Sequence, residues 1–259
     1  MSKIAAIEDL HCGHRSGLTP PGWQLPIRGP NKGRNEWGRV EHELWREYLK
    51  IIDSIGNVDL LLINGDCIDG RGEASGGTEL LTSDVGSQVD MAIECISQWN
   101  TSEIVISYGT GYHTGKYRDN ERDIARAFGA TIESHPFIEI DGITIDMKHK
   151  VGRSGIPHGR GTALSKERLW NTQWYLRDGQ PLADLILRSH VHYYTYIGEA
   201  DWTAMILPPL QAAGTKYGAR QCTNTIDWGI IEFNVEDGRF GWEEHLVTLK
   251  ANKTDVIKL

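Results

Sequence analysis

The chain has 259 residues, 39% of them hydrophobic and 24% charged, enough apolar side chain for a full core, which excludes a disordered or collagen-like segment. A net charge of -8 argues against nucleic acid wrapping the whole surface, while leaving room for a local basic loop that meets phosphates. The longest aliphatic run, residues 60–63, is far shorter than the roughly 20 residues of a membrane span, and no leader or anchor is visible, so no membrane association is expected. Cys12, Cys67, Cys95 and Cys222 show neither CxxC spacing nor the density of a disulfide scaffold; a cytoplasmic location fits best.

Residues 3–7 read as a strand. A loop over 13–38, rich in Gly and Pro and carrying Trp23 and Trp37, is too long for a connector and is expected to be a functional loop, a lid over substrate. Leu44, Tyr48, Ile51 and Ile52 recur at helical spacing and predict a helix over 41–55. A strand over 58–63 ends in Asn64-Gly65-Asp66, a second Gly-rich substrate loop covers 70–82, and a helix follows over 85–99. The strand at 103–107 ends in Gly109-Thr110-Gly111-Tyr112-His113 before a charged helix over 119–128. The order is thus β-loop-α three times, with polar residues where each strand runs out, which is where open α/β sheets bind ligands.

In the second half, strands at 137–140 and 143–147 flank Asp141-Gly142, a two-residue hairpin signal. A basic loop over 150–161 leads to a helix over 163–176, and a strand at 184–187 ends in Ser189-His190-Val191-His192. Strands at 203–207, 229–234 and 240–247 complete the chain and suggest mixed sheets. With no repeat or linker, residues 1–259 read as a single α/β domain.

The strand ends carry the chemistry: Asp9-Leu10-His11, Gly65-Asp66 with Asp69, His113, His149, and His190-Val191-His192. Alternation by two in extended segments is expected to point Asp9 with His11, and His190 with His192, toward one side. Carboxylates and imidazoles without thiolates suit Mn, Fe, Zn, Ni or Co better than Ca or Mg. A pair of ions needs a bridging carboxylate, and Asp66 is the natural candidate. Singly each piece reads as turn or cap chemistry; their joint appearance after successive apolar runs carries the signal.

This ordered set over residues 4–192 resembles the calcineurin-like metallophosphoesterase superfamily, whose motifs run Asp-x-His, Gly-Asp-x-x-Asp, Gly-Asn-His-Asp/Glu, a lone His and Gly-His-x-His. The resemblance implies a four-layered α/β/β/α sandwich with mixed sheets and a dinuclear metal site, with Mn the leading ion. By motif position, Asp9, His11 and His192 would bind one metal, Asp66 would bridge, and His149 and His190 would bind the second. Asp69 would support its neighbours without ligating, and His113 would be the catalytic histidine. The chain departs from the pattern at Tyr112, where the motif has Asn, at Thr114, where it has an acid, and at Ser189, where it has Gly. Thr110, water or substrate would have to fill the place of the missing amide.

The implied activity is hydrolysis of a phosphate ester, with nucleic acid or a nucleotide as a candidate substrate. Lys150, Arg153 and Arg160 are candidate contacts for the phosphate, joined by Lys148 and His158; Trp23, Trp37, Tyr193, Tyr194 and Tyr196 are candidates for stacking on bases. Together these favour a phosphodiesterase or nuclease. The alternatives are a phosphomonoesterase, acting on proteins or small molecules, and a metal-binding scaffold without catalysis, the latter favoured by Tyr112.

Overall fold

Alternation along the first strand sets the layering. In β1 (Ser2–Ile7), Ala5 and Ile7 join an apolar cluster with helical residues such as Leu44, Tyr48 and Ile96, while Ile4 and Ala6 join one with a second sheet. This is the period-two pattern of a strand buried on both faces. The computed structural model describes residues 1–27, 32–73, 76–114, 119–212 and 227–250.

After α1 (Lys32–Ile55), β2 (Val58–Asn64) repeats the division, with Leu61 and Ile63 facing the helices and Leu60 and Leu62 the second sheet. Then come α2 (Val85–Ile96), β3 (Thr101–Ser107), a single turn α3 (Gly111–Thr114), α4 (Asn120–Phe128) and β4 (Thr131–Glu133). The second half contains β5 (Phe137–Ile140), β6 (Ile143–Lys150), α5 (Arg160–Asp178), β7 (Leu185–Ser189), β8 (Thr195–Glu199), β9 (Trp202–Ile206), β10 (Gly229–Glu236) and β11 (Arg239–Leu246).

Two mixed sheets result, one of six strands in the order β11-β10-β1-β2-β3-β4 and one of five in the order β5-β6-β7-β9-β8. In the first, β1 to β4 are parallel and β10 joins β1 antiparallel. In the second, β6, β7 and β9 are parallel between antiparallel edges. Helices α1, α2 and α4 cover the outer face of the first sheet, the sheets pack face to face through Leu62, Phe233, Met147 and Leu187, and α5 covers the second sheet through Leu164. The layers run α/β/β/α, as the resemblance implies.

The outer face of the second sheet is partly polar. Arg188 and Asp146, both fully buried, pair at 2.7 Å, and Glu167 of α5 takes the other side of the guanidinium at 2.7 Å. Burial opposes ionisation of Asp146, but His135 and Arg188 outweigh it and hold its carboxyl down at about 2. Among the described residues, no helix is long and apolar enough to cross a membrane.

Several boundaries differ from the sequence reading. The first helix begins at Lys32 rather than near 41, so Trp37 lies on it and the loop is shorter than 13–38. Gly38, which reads as a loop residue, is buried in this helix because the backbone of Leu25 and Pro26 crosses there so closely that a Cβ would collide with the Leu25 carbonyl. Residues 10–20 are buried almost throughout, so they belong to the core instead of forming a lid. They pair with the second loop through Leu81 N to Gly13 O at 2.8 Å and Arg15 N to Glu79 O at 3.0 Å. Strands β4 and β8, of three and five residues, carry too little pattern to be read. Positions 28–31 and 74–75 of the two loops, and Cys222, lie outside the described residues.

Candidate metal centre

The parallel pairing of β1 with β2 continues into the loops beyond them. Asp9 N donates to Gly65 O at 3.2 Å, and His11 N to Asp66 O and Cys12 N to Cys67 O each at 3.0 Å. The chain then bends sharply. Asp9, His11, Asp66, His190 and His192 all have positive φ, between 44° and 78°. The expected alternation of extended residues is therefore corrected: these side chains are aimed by single left-handed residues, not by strand pleat. Asp, Asn and His tolerate that region better than most residues, but each instance costs about 1–3 kcal/mol and such strain gathers at functional sites. The other two described non-glycine residues with positive φ, Asp141 and Asp237, occupy the hairpin turns β5–β6 and β10–β11, where the conformation is ordinary.

These bends bring donors from both sheets together. Asp9 Oδ1 lies 3.4 Å from His11 Nε2, and Asp9 Oδ2 lies 3.2 Å from His192 Nε2. Asp66 Oδ2 lies 3.0 Å from His149 Nε2 and 4.0 Å from His190 Nδ1. His149 Nε2 also approaches Asp9 Oδ1 at 3.8 Å, which links the two groups. Asp9, His11 and His192 form one set whose donor atoms lie within 4.8 Å of one another; Asp66, His149 and His190 form a second.

The imidazoles are held so that one nitrogen faces the centre. His149 Nδ1 donates to the Asn64 carbonyl at 2.6 Å, and His11 Nδ1 to Asp69 Oδ1 at 3.0 Å, which leaves Nε2 of each turned toward the carboxylates. His113 Nδ1 donates to the Asp69 carbonyl at 2.7 Å, leaving its Nε2 for other work, and its ring packs edge-on against His11. Thr110 donates to Asp66 Oδ1 through its backbone N–H at 2.7 Å and through its hydroxyl at 3.2 Å. Gly109 has to be glycine here, because a Cβ would run into the Asp66 carboxylate. Tyr112 is 45% exposed, its ring edge-on to His113.

Charge and burial identify the group such a pocket fits. Asp9 Oδ1, His11 Nε2, His149 Nε2 and Glu8 Oε1 are buried without a hydrogen-bond partner among the described residues, and buried polar atoms rarely stay so. Burial disfavours the imidazolium of His149, yet Asp66 pushes its pKa up to about 9, and His149 in return holds Asp66 at about 2 against burial. Burial and the neighbouring His11 lower His113. Mixed oxygen and nitrogen donors, several unpartnered, around an excess of buried carboxylate fit divalent transition-metal ions.

Residues that sequence reading passed over support this arrangement. Glu8, fully buried, accepts from His190 N at 3.3 Å. Glu121 of α4 accepts from Cys67 N at 3.1 Å and Gly109 N at 2.8 Å, and burial with the nearby Asp66 raises it to about 7. Gln88 of α2 pins Gly70 through two bonds of 2.8 Å. Asn64 takes a hydrogen bond from Ser107 and donates to Ser189 Oγ at 2.6 Å, joining the two sheets beneath the centre. The serine at 189 thus has its own task. A carboxylate ending a buried strand, as Glu8 does, was the one available signal.

The expected substrate contacts are scattered. Lys150 is exposed and lines a cleft of about 300 Å³ with Tyr108, Thr110, Ser134 and His149. Lys148 pairs with Glu167 at 2.8 Å, Arg160 lies over the Tyr193 ring at 4.1 Å, and Arg153 and His158 are exposed on the loop. Trp23 packs on the first core and Trp37 is half-buried. Tyr193 is buried, and Tyr194 and Tyr196 pack with each other, Tyr196 also against Trp242.

No family model matches the chain, and no curated protein does. Its fold is similar to several solved structures. Zinc-complexed wild-type Vps29 from Entamoeba histolytica is 13% identical over 94% of this chain and 98% of that one, with a TM-score of 0.46. An archaeal phosphodiesterase is 13% identical over 93% and 99%, at 0.46. A predicted phosphoesterase from Streptococcus pneumoniae is 12% identical over 96% and 94%, at 0.42.

Proposed function

We propose that the protein hydrolyses phosphate esters with two divalent metal ions, as a phosphodiesterase or nuclease. One observation carries this reading: six carboxylate and imidazole donors from separate stretches of chain meet at one centre with buried atoms left unpartnered. Asp9, His11 and His192 would hold one ion, His149 and His190 the other, and Asp66 both. Bound divalent cations, Mn first among them, would supply Lewis acidity toward the phosphoryl oxygens and toward water.

The chain's own groups do the rest. Asp69 fixes His11 through its carboxylate and His113 through its carbonyl. With its Nδ1 proton committed to the Asp69 carbonyl, His113 presents Nε2 as a proton acceptor toward the attacking water, and the proton gained there is the one it would then give to the leaving oxygen. The cleft beside His149 has room for a second ester arm, and Lys150 at its edge is placed to meet negative charge on it. That room favours a diester over a monoester. Tyr112, which turns a phenol where the motif has an amide, favours a second reading, a metal-binding scaffold without turnover.

Hydrolysis of bis(p-nitrophenyl) phosphate and p-nitrophenyl phosphate with Mn, beside a chelated control, separates these. Metal-dependent cleavage of the diester is expected. Cleavage mainly of the monoester would make the protein a phosphatase, and no cleavage of either by the metal-loaded protein would favour the scaffold.

A further inference from the structure

Glu8 is a fully buried carboxylate at the centre that the motif order leaves without a task. It precedes Asp9 directly, and Oε2 shares the His190 backbone N–H with Asp9 Oδ2, at 3.3 and 3.2 Å. Oε1 has no partner among the described residues. One donor atom each from Glu8, Asp9 and His149 lies within 4.8 Å of the others, so Glu8 stands at the junction of the two donor sets, since Asp9 belongs to the first and His149 to the second.

Charge points the same way. Among the described residues, the ion pairs of Asp9 and Asp66 are all with histidines, and Glu8 has none. Among the described residues none of the buried carboxylates Glu8, Asp9 and Asp66 has a lysine or arginine against it, a setting that a divalent cation would relieve. The second donor set holds a single carboxylate beside two imidazoles, and Tyr112 stands where the motif has an amide oxygen.

We propose that Glu8 is a further carboxylate ligand of the metal centre, placed between the two donor sets and making up for the missing amide. The proposal rests on the metal-centre reading above. Glu8→Gln is the discriminating variant, because its amide oxygen still accepts from His190 N while the charge is gone. A Glu8 that merely orients the His190 loop therefore tolerates the change.

The full-length protein and Glu8→Gln would be titrated with Mn²⁺ by calorimetry, with bound metal counted by elemental analysis. Two ions are expected on the wild type, and a variant that holds one of them about ten-fold or more weakly. Equal stoichiometry and affinity in both proteins would overturn the role of Glu8 and leave the metal centre standing. A wild type that binds no Mn²⁺ would overturn the metal centre itself and Glu8 with it. Anomalous scattering from an Mn²⁺-soaked wild-type crystal decides the matter even if the variant does not fold. A Glu8 oxygen roughly 2.0–2.6 Å from an Mn²⁺ peak is expected, and a Glu8 carboxylate outside that range of every peak would refute the assignment.

Discussion

The two sheets contribute unlike halves to one centre. The first supplies Asp9, His11, Asp66 and Asp69, all at most 6% exposed, on loops stitched together by the continued ladder of β1 and β2 and tied down by Gln88 and Glu121. The second supplies buried His149 from the end of β6, and then His190 and His192 from the loop after β7, with side chains 35% and 19% exposed. The carboxylate half is thus a fixed anionic frame, and the imidazole half is where solvent and incoming groups reach it. Fixing the negative charge in the core makes sense physically, since buried carboxylates held by backbone N–H groups and histidines cannot relax away from a cation.

The largest effect that sharpens this comparison is expected at His113, which borders the frame without belonging to either donor set. His113→Ala should keep its metal content and melting temperature while turnover falls by about 10²–10⁴-fold. Wild-type rates in that variant would remove His113 from the mechanism. Asp69→Ala comes next. It removes the acceptor for His11 Nδ1 but leaves the carbonyl that holds His113, so Mn affinity measured by titration should drop about 10–100-fold. An unchanged affinity would break the contrast, by showing that the frame needs no fixing from behind.

The third effect, comparable per pH unit with the lower end of the second, belongs to the imidazole half. Asp66 raises His149 to about 9, so below that pH the ring carries a proton that an ion must displace. Mn affinity should rise with pH by up to about ten-fold per unit and level off near 9, with proton release on binding. A flat affinity between pH 7 and 9 would place His149 outside the ligand set.

Much of this was legible from the chain. Apolar runs with polar ends located β1, β2, β3 and β7 to within two residues; β1, β2 and β7 are buried along most of their length and leave a nearly uninterrupted hydrophobic signal, and β3 keeps the run Ile104 to Ile106. Short edge strands such as β4 carry no such signal, and the start of α1 was hidden by Gly33 and Gly38. Gly38 is tolerated only because residues 25–26 cross it, a contact between distant segments. Likewise the candidate residues were found by type and order, while their orientation was misjudged, since left-handed φ at five of them is a local fact that composition does not announce.

What the sequence determined alone is the inventory: an α/β chain with carboxylates and imidazoles placed just beyond its strands. Only the tertiary structure decided that Asp9 and Asp66 face His149 across the two sheets, and that Lys148 and Arg160 are engaged by Glu167 and Tyr193. It likewise decided that Glu8 shares the centre. The reason is range. Pattern and propensity act over a few neighbouring residues, whereas the spacing of donor atoms depends on how two sheets pack face to face, a sum of contacts between segments as far apart as Asp9 and His190.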